Sequence, residues 1–233
     1  NTQGSITSTV RANASAGFSV VTYTSNGTNG ATVGHGLGVA PQFVIVKNRL
    51  NATNWMVGHQ SLDPTSPWNY YLRLNGTIAS AAAADFWNNT APTSSVVTLG
   101  TSTSVNSIDG DTYVMYAFAP VSGYSSFGSY TGNGSSDGPF VYTGFRPRWV
   151  MVKRTDTGNS NTNWAIYDSA RSDNPNTKYL LANTSGAEGN YYDVDFLSNG
   201  FKLRLSGDTT NQTSGTYIYA AFAENPFSIA RAR

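Results

Sequence analysis

Catalysis in this chain would rest on carboxylates or on two histidines, because the sequence contains no cysteine. Thiolate chemistry, disulfides and sulfur-ligated metals are thereby excluded, and the redox compartment leaves no mark. Asp193 and Asp195 stand two residues apart in YYDVDF, a stretch whose alternation predicts a strand. The pair therefore shares one face at roughly 7 Å, a separation compatible with a glycosidase acid/base pair or with calcium ligation. Glu188 is a third carboxylate nearby in sequence. A solvated strand face accounts for these residues equally well. Asp109 and Asp111 flank Gly110 where a hairpin should turn, and short acidic side chains favour turns because they hydrogen-bond their own backbone. His35 and His59 have no Cys or Glu at ligand spacing. His59 alternates onto the face of Trp55 and Val57, which reads as packing at a strand end. The run GHGLG at 34–38 leads through Pro41 into a strand, where a nucleotide-binding loop should open a helix. The residues thus predict no catalytic group, no metal ligand and no cofactor.

What remains for recognition is a set of aromatic side chains amid hydroxyls and amides. Trp68, Tyr70, Trp87, Tyr191 and Tyr192 lie outside the repeated phrases described below. Aromatics there have less reason to be core, and an exposed ring stacks on the C–H face of a sugar while Asn, Asp and Arg bind its hydroxyls. The same rings would equally serve a subunit interface.

The elements that must position these residues are written twice. GFSVVTYTSNG (17–27) is answered by GYSSFGSYTGNG (123–134), APQFVIVK (40–47) by RPRWVMVK (146–153), and NWMV (54–57) by NWAI (163–166). YLRLN (71–75) is answered by YLLAN (179–183), and TYVMYAFA (112–119) by TYIYAAFA (216–223). All five pairs keep their order at offsets of 104 to 109 residues, which predicts an internal duplication of a domain-sized unit. The boundaries read as a junction over 1–16, one copy over 17–122 and a second over 123–233.

Phe43 and Ile45 point one way in QFVIVK, and Val44 and Val46 the other, so this strand should be covered on both faces. Turn signals punctuate the runs at Asn26-Gly27, Asn75-Gly76, Asp109-Gly110, Asn133-Gly134, Asp137-Gly138 and Asn199-Gly200. Each copy therefore reads as some six to eight short antiparallel strands, giving an all-β fold of two tandem, internally duplicated, jelly-roll-like β-sandwiches. The exception is TIASAAAADFWNN (77–89), whose helix formers allow a short helix. Trp55 and Trp164, common to both copies, are expected in the cores. Lys47 and Lys153 end apolar strands and are expected to snorkel to the rim.

Composition narrows the partners. Net charge is +1 and only 12% of residues are charged, too little cationic density for a phosphate backbone, so nucleic acid is not an expected partner. No apolar run approaches the roughly 20 residues of a membrane span. Charge is sparse before residue 117, and ten of the basic and nine of the acidic side chains follow it. Eight Asn-x-Ser/Thr triplets occur, a number that chance explains in so Asn- and Thr-rich a chain.

The wording of GSYTGNGSSDGPFVYTGFRPRWVMVKRTD, NWAIYDSAR, VDFLSNGFKLR and TYIYAAFAENPF resembles a domain of virion structural, tail-fibre-like proteins of marine and freshwater bacteriophages, over residues 4–233. That resemblance implies a place on the particle surface, roles in structure and host-surface adhesion, and no catalytic residue to carry over. Its implied partners are other virion proteins, host polysaccharide and, since fibres are commonly trimeric, further copies of the chain. The opening Asn and the junction-like start read as the distal part of a longer protein. Other readings of the residues stand beside it: a capsid decoration protein, a polysaccharide-degrading enzyme using Asp193 and Asp195 or Glu188 with one of them, and a cellular lectin-like module.

Overall fold

Short runs of β-branched and aromatic residues between Asn-Gly and Asp-Gly turns leave the backbone few alternatives to antiparallel ladders, and the chain is nearly all β. The computed structural model describes residues 1–108, 110–172 and 176–226, without the side chains of Asn176, Tyr191, Tyr192 and Asp193. It divides into two compact units. The first is Asn1–Asn75 with Ser80–Pro120, and the second is Gly76–Ala79 with the chain from Val121 onward.

The first unit contains β1 (Ser8–Asn13), β2 (Phe18–Thr24), β3 (Ala31–Gly34), β4 (Phe43–Asn48), β5 (Met56–His59), β6 (Tyr70–Arg73), β7 (Ala81–Ala82), α1 (Ala84–Trp87), β8 (Val96–Leu99) and β9 (Thr112–Phe118). Seven strands form one sheet in the order β1-β2-β9-β4-β5-β6-β7, and β3 and β8 form a separate antiparallel pair. Val33, Val97 and Leu99 of that pair share one buried cluster with Val21, Val44, Val46 and Met115 of the large sheet. The unit is therefore sandwich-like, two layers around one core. All four residues from Phe43 to Val46 are buried, as expected for a strand apolar on both faces.

The second unit contains β10 (Ser125–Thr131), β11 (Phe140–Tyr142), β12 (Pro147–Arg154), β13 (Trp164–Asp168), β14 (Asn176–Leu181), β15 (Gly189–Leu197), β16 (Gly200–Leu203) and β17 (Thr216–Ala223). They form one sheet in the order β10-β17-β12-β13-β14-β15-β16-β11. Val141 and Leu203, near one end of that order, share a buried cluster with Val150, Val152 and Tyr217 near the other. The sheet thus curls over to enclose its own core. Each large apolar side chain placed in such a core stabilises by about 1.5–3 kcal/mol.

Buried polar groups recur at matching places in the two units. Tyr23 and Tyr113 stack at 5.2 Å, and Tyr130 and Tyr217 at 5.0 Å. The Tyr23 hydroxyl donates to the Val105 carbonyl at 2.7 Å, and that of Tyr130 to the Thr210 carbonyl at 2.7 Å. Asn106 and Asn211 are both wholly buried. Asn106 Oδ1 accepts from the Asn26 N–H at 3.0 Å, and Asn211 Oδ1 from the Asn133 N–H at 2.9 Å. Likewise the N–H of Trp55 donates to Asn75 Oδ1 at 3.0 Å, and that of Trp164 to Asn183 Oδ1 at 2.9 Å.

Several expectations need correction. Residues 1–16 are not merely a junction: β1 pairs along its length with β2, and Ile6 lies in the core. The short helix expected within 77–89 does form, as the single turn of α1, while residues 81–82 pair with β6. Trp164 is buried at 1% exposure, but Trp55 is only half-buried, since β5 begins after it at Met56. Lys153 does not snorkel. It is wholly buried, and its ammonium donates to the Arg154 carbonyl at 2.6 Å and the Thr77 carbonyl at 3.5 Å. Lys47, half-buried, reaches the Asn51 carbonyl at 3.0 Å.

Candidate functional site

Two of the residues expected to recognise a ligand lie in the core of the first unit. Trp68 and Trp87 are core, not surface: they are 5% and 0% exposed and meet edge to face at 5.8 Å. The cause is Gly58 of β5. With no side chain there, the two indoles fill the space above the strand, and a Cβ at Gly58 would run into the Trp68 ring and lie 3.0 Å from Trp87. Tyr70 is half-buried and opens β6 directly after the single 3-10 turn Pro67–Asn69. The backbone of Tyr191 and Tyr192 lies in β15, but their side chains, like that of Asp193, fall outside the described residues.

Two of the carboxylates that could serve catalysis, Asp195 and Glu188, are held in ion pairs. Asp195 Oδ2 accepts from Arg204 Nε at 2.6 Å. Glu188 bridges Lys178 at 3.0 Å and Arg171 at 3.2 Å, and the Lys178 hydrogen bond holds its carboxyl below the usual range. Such a group stays ionised and is a poor proton donor near neutral pH. Among the described residues no group of three or more His, Cys, Asp or Glu is placed to hold a metal ion. His35 and His59 are both buried, and each Nδ1 accepts a backbone N–H two residues on, from Leu37 and Ser61 respectively. Burial holds the His35 imidazole below its ordinary value.

A concave surface appears elsewhere in the second unit. A cleft of about 420 Å³ is lined by Asn161, Asn163, Tyr179, Asp208 and Thr209, with Leu181, Leu205 and Gly207 in its wall. This volume lies within the roughly 300–1,000 Å³ typical of small-molecule sites. Tyr179, half-buried on β14, sits across from Gly189 of β15 in the ladder. A Cβ at Gly189 would collide with the Tyr179 ring, so the glycine is what lets the ring lie down on the sheet. The ring packs against the core cluster and borders the cleft.

The rest of the rim is held by hydrogen bonds, some of them charge-assisted. Arg154 binds Asp156 through two of them, at 2.8 and 3.0 Å, and Asp208 through a third at 2.7 Å. The guanidinium keeps the Asp156 carboxyl below the usual range, and its own pKa is raised in return. Asp208 Oδ2 also accepts from Asn159 Nδ2 at 3.2 Å. Thr209 Oγ1 donates to the Asn161 carbonyl at 2.6 Å, and Asn163 Oδ1 accepts from Asn183 at 2.7 Å. The side chains are thus preorganised, and the carboxylate in the cleft already has its counter-charge. Sequence reasoning missed this site because Tyr179 belongs to the repeated phrase YLLAN, which reads as core. The Asn-rich NTNW and GDTTN stretches that supply the rim carry no motif.

Two further exposed aromatics also went unread. Phe140 and Tyr142 of β11 are 45% and 67% exposed, while Val141 between them is buried. Since β11 ends the sheet order, these rings decorate an edge strand.

A family model described as "Domain of unknown function (DUF7483)" matches residues 1–226. No curated protein and no solved structure matches the chain.

Proposed function

Because the chain belongs to this family of domains of unknown function, we propose from its chemistry that it is a non-catalytic module of a bacteriophage particle surface that adheres to host-surface glycan. The observation that carries this reading is the preorganised cleft of the second unit, lined by an aromatic ring together with amide, hydroxyl and carboxylate groups. That mixture suits a sugar, which offers a C–H face to a ring and hydroxyls to polar groups. The phage setting rests on the resemblance of the repeated phrases. The sparse charge and absence of thiols suit a surface exposed outside a cell.

We further propose that the two units are copies of one ancestral sandwich. The order β2-β9-β4-β5-β6 in the first matches β10-β17-β12-β13-β14 in the second, and the pair β3-β8 matches β11-β16. The matching tyrosine stacks and buried asparagines support the same descent. Contact with virion partners or further copies of the chain is assigned to edge strand β11, where Phe140 and Tyr142 are exposed.

Glycan-array binding tests adhesion. The wild type is expected to retain a restricted set of glycans, and Tyr179→Ala to lose them. Absence of any glycan binding would remove the adhesion reading. Release of new reducing ends from a bound polysaccharide would replace it with an enzymatic one.

A further inference from the structure

We infer that the cleft of the second unit is the position that the first unit plugs with its own helix, and that it takes a neutral sugar ring, giving one glycan site per chain. This deepens the adhesion reading and rests on it. The correspondence comes from the turn that follows β8 and β16. In the first unit the N–H groups of Val105 and Asn106 donate to the Ser102 carbonyl at 2.9 and 2.8 Å. In the second, those of Thr210 and Asn211 donate to the Gly207 carbonyl at 3.3 and 2.8 Å. Ser102 therefore answers to Gly207, and Gly100 to Leu205. Tyr71 answers to Tyr179 in the repeated phrase.

In the first unit all three of these positions are covered by α1. The Phe86 ring lies 4.1 Å from that of Tyr71. The N–H of Gly100 donates to the Phe86 carbonyl at 2.9 Å, and that of Ser102 to the Asp85 carbonyl at 2.9 Å. The second unit has β15 in place of the helix, and Tyr179, Leu205 and Gly207 all border the cleft. The ring, and the two backbone positions whose N–H groups the first unit spends on α1, here border the cleft instead.

The occupant is not another α1. A Cβ at Gly100 would collide with the Asp85 carbonyl, so the helix needs glycine at that position, and the second unit has Leu205 there. A flat ring with hydroxyl acceptors needs no such close backbone approach. Asp208 and the Asn161, Asn163 and Thr209 groups supply the donors and acceptors for those hydroxyls. Arg154 is shared between Asp156 and Asp208, and no cationic side chain is among the lining residues to receive an acidic sugar, so the ring is neutral.

The test uses the full chain in affinity electrophoresis through gels containing dextran, mannan, galactan or alginate. At least one of the three neutral polymers is expected to retard the wild type, and alginate is not. Gly207→Phe should fill the cleft without disturbing the fold, since nothing lies within 4 Å of a Cβ built there and its φ is not left-handed. Gly207→Phe and Tyr179→Ala should each weaken binding by about tenfold or more. Tyr71→Ala, at the plugged position, should leave it unchanged. Circular dichroism melts confirm that each variant is folded.

Retardation that survives Gly207→Phe, or that is confined to alginate, overturns this inference and leaves glycan adhesion standing. Retention of an acetylated Ala-Asp-Phe-Trp peptide in place of sugar also overturns it. Failure of every polymer to bind sinks both.

Discussion

At the scale of single residues, Lys153 carries the strongest consequence. It is wholly buried, and desolvation lowers its ammonium from 10.5 to about 8. Among the described residues only backbone carbonyls receive it, with no carboxylate within salt-bridge distance. Between those two values the unfolded chain holds a proton that the folded chain has released, so stability rises with pH across that window. Urea unfolding at about pH 8 and about pH 9.5 should differ by on the order of 2 kcal/mol in favour of the higher pH. The Lys153→Met variant should lose that slope. The buried tyrosines work in the opposite sense at higher pH. Burial pushes Tyr217 up to about 12, so above roughly pH 10 the unfolded chain loses tyrosyl protons first and stability falls. A flat wild-type profile from pH 8 to 9.5 would mean that Lys153 keeps its charge when folded. The sequence made the residue visible, as the end of an apolar strand. Its depth was not legible, because the Thr77 carbonyl that receives it is 76 residues away.

At the scale of elements, pattern reading succeeded where both faces of a strand are apolar and failed where a gap in one element is filled by another. β4 and β12 were plain in QFVIVK and RWVMVK. The burial of Trp68 and Trp87 was not, because it depends on the missing side chain of Gly58, which no periodicity records. Gly58→Ala is accordingly expected to destabilise the first unit by about 1–3 kcal/mol through overpacking, read as a lower denaturation midpoint with an unchanged m-value. If the variant melts like the wild type, the indoles are not seated as described. The candidate cleft was illegible for a related reason. Its ring comes from a phrase written in both units, and it borders open space where β15, rather than a helix, follows β14. Residues in phrases that the two units repeat are thus not all scaffold. Tyr71 and Tyr179 hold the same place, one under Phe86 and the other beside open space.

For the whole molecule, the prediction concerns self-association. Edge strands with exposed aromatic side chains invite pairing unless blunted by charge or proline. Phe140 and Tyr142 are exposed on β11, where the sheet order ends. Light scattering should find an oligomer of the wild type, and Tyr142→Lys should shift it toward monomer with no change in melting temperature. A wild type that remains monomeric at high concentration would remove β11 as a contact surface. The measurement also bears on avidity: linked copies raise effective affinity by roughly 10²–10⁴ without any new contact. A weak single-ring site would then suffice for adhesion.

The second unit is also not a continuous stretch of chain. Gly76–Ala79 belongs to it, although the residues on either side belong to the first. The Thr77 carbonyl in that tetrapeptide accepts from Thr162 Oγ1 at 2.7 Å as well as from Lys153, and a Cβ at Gly158 would come within 2.7 Å of the Ala79 nitrogen. A cut after Pro120 would leave four residues of the second unit on the wrong side of the scissor, so neither unit could be released whole at a single bond.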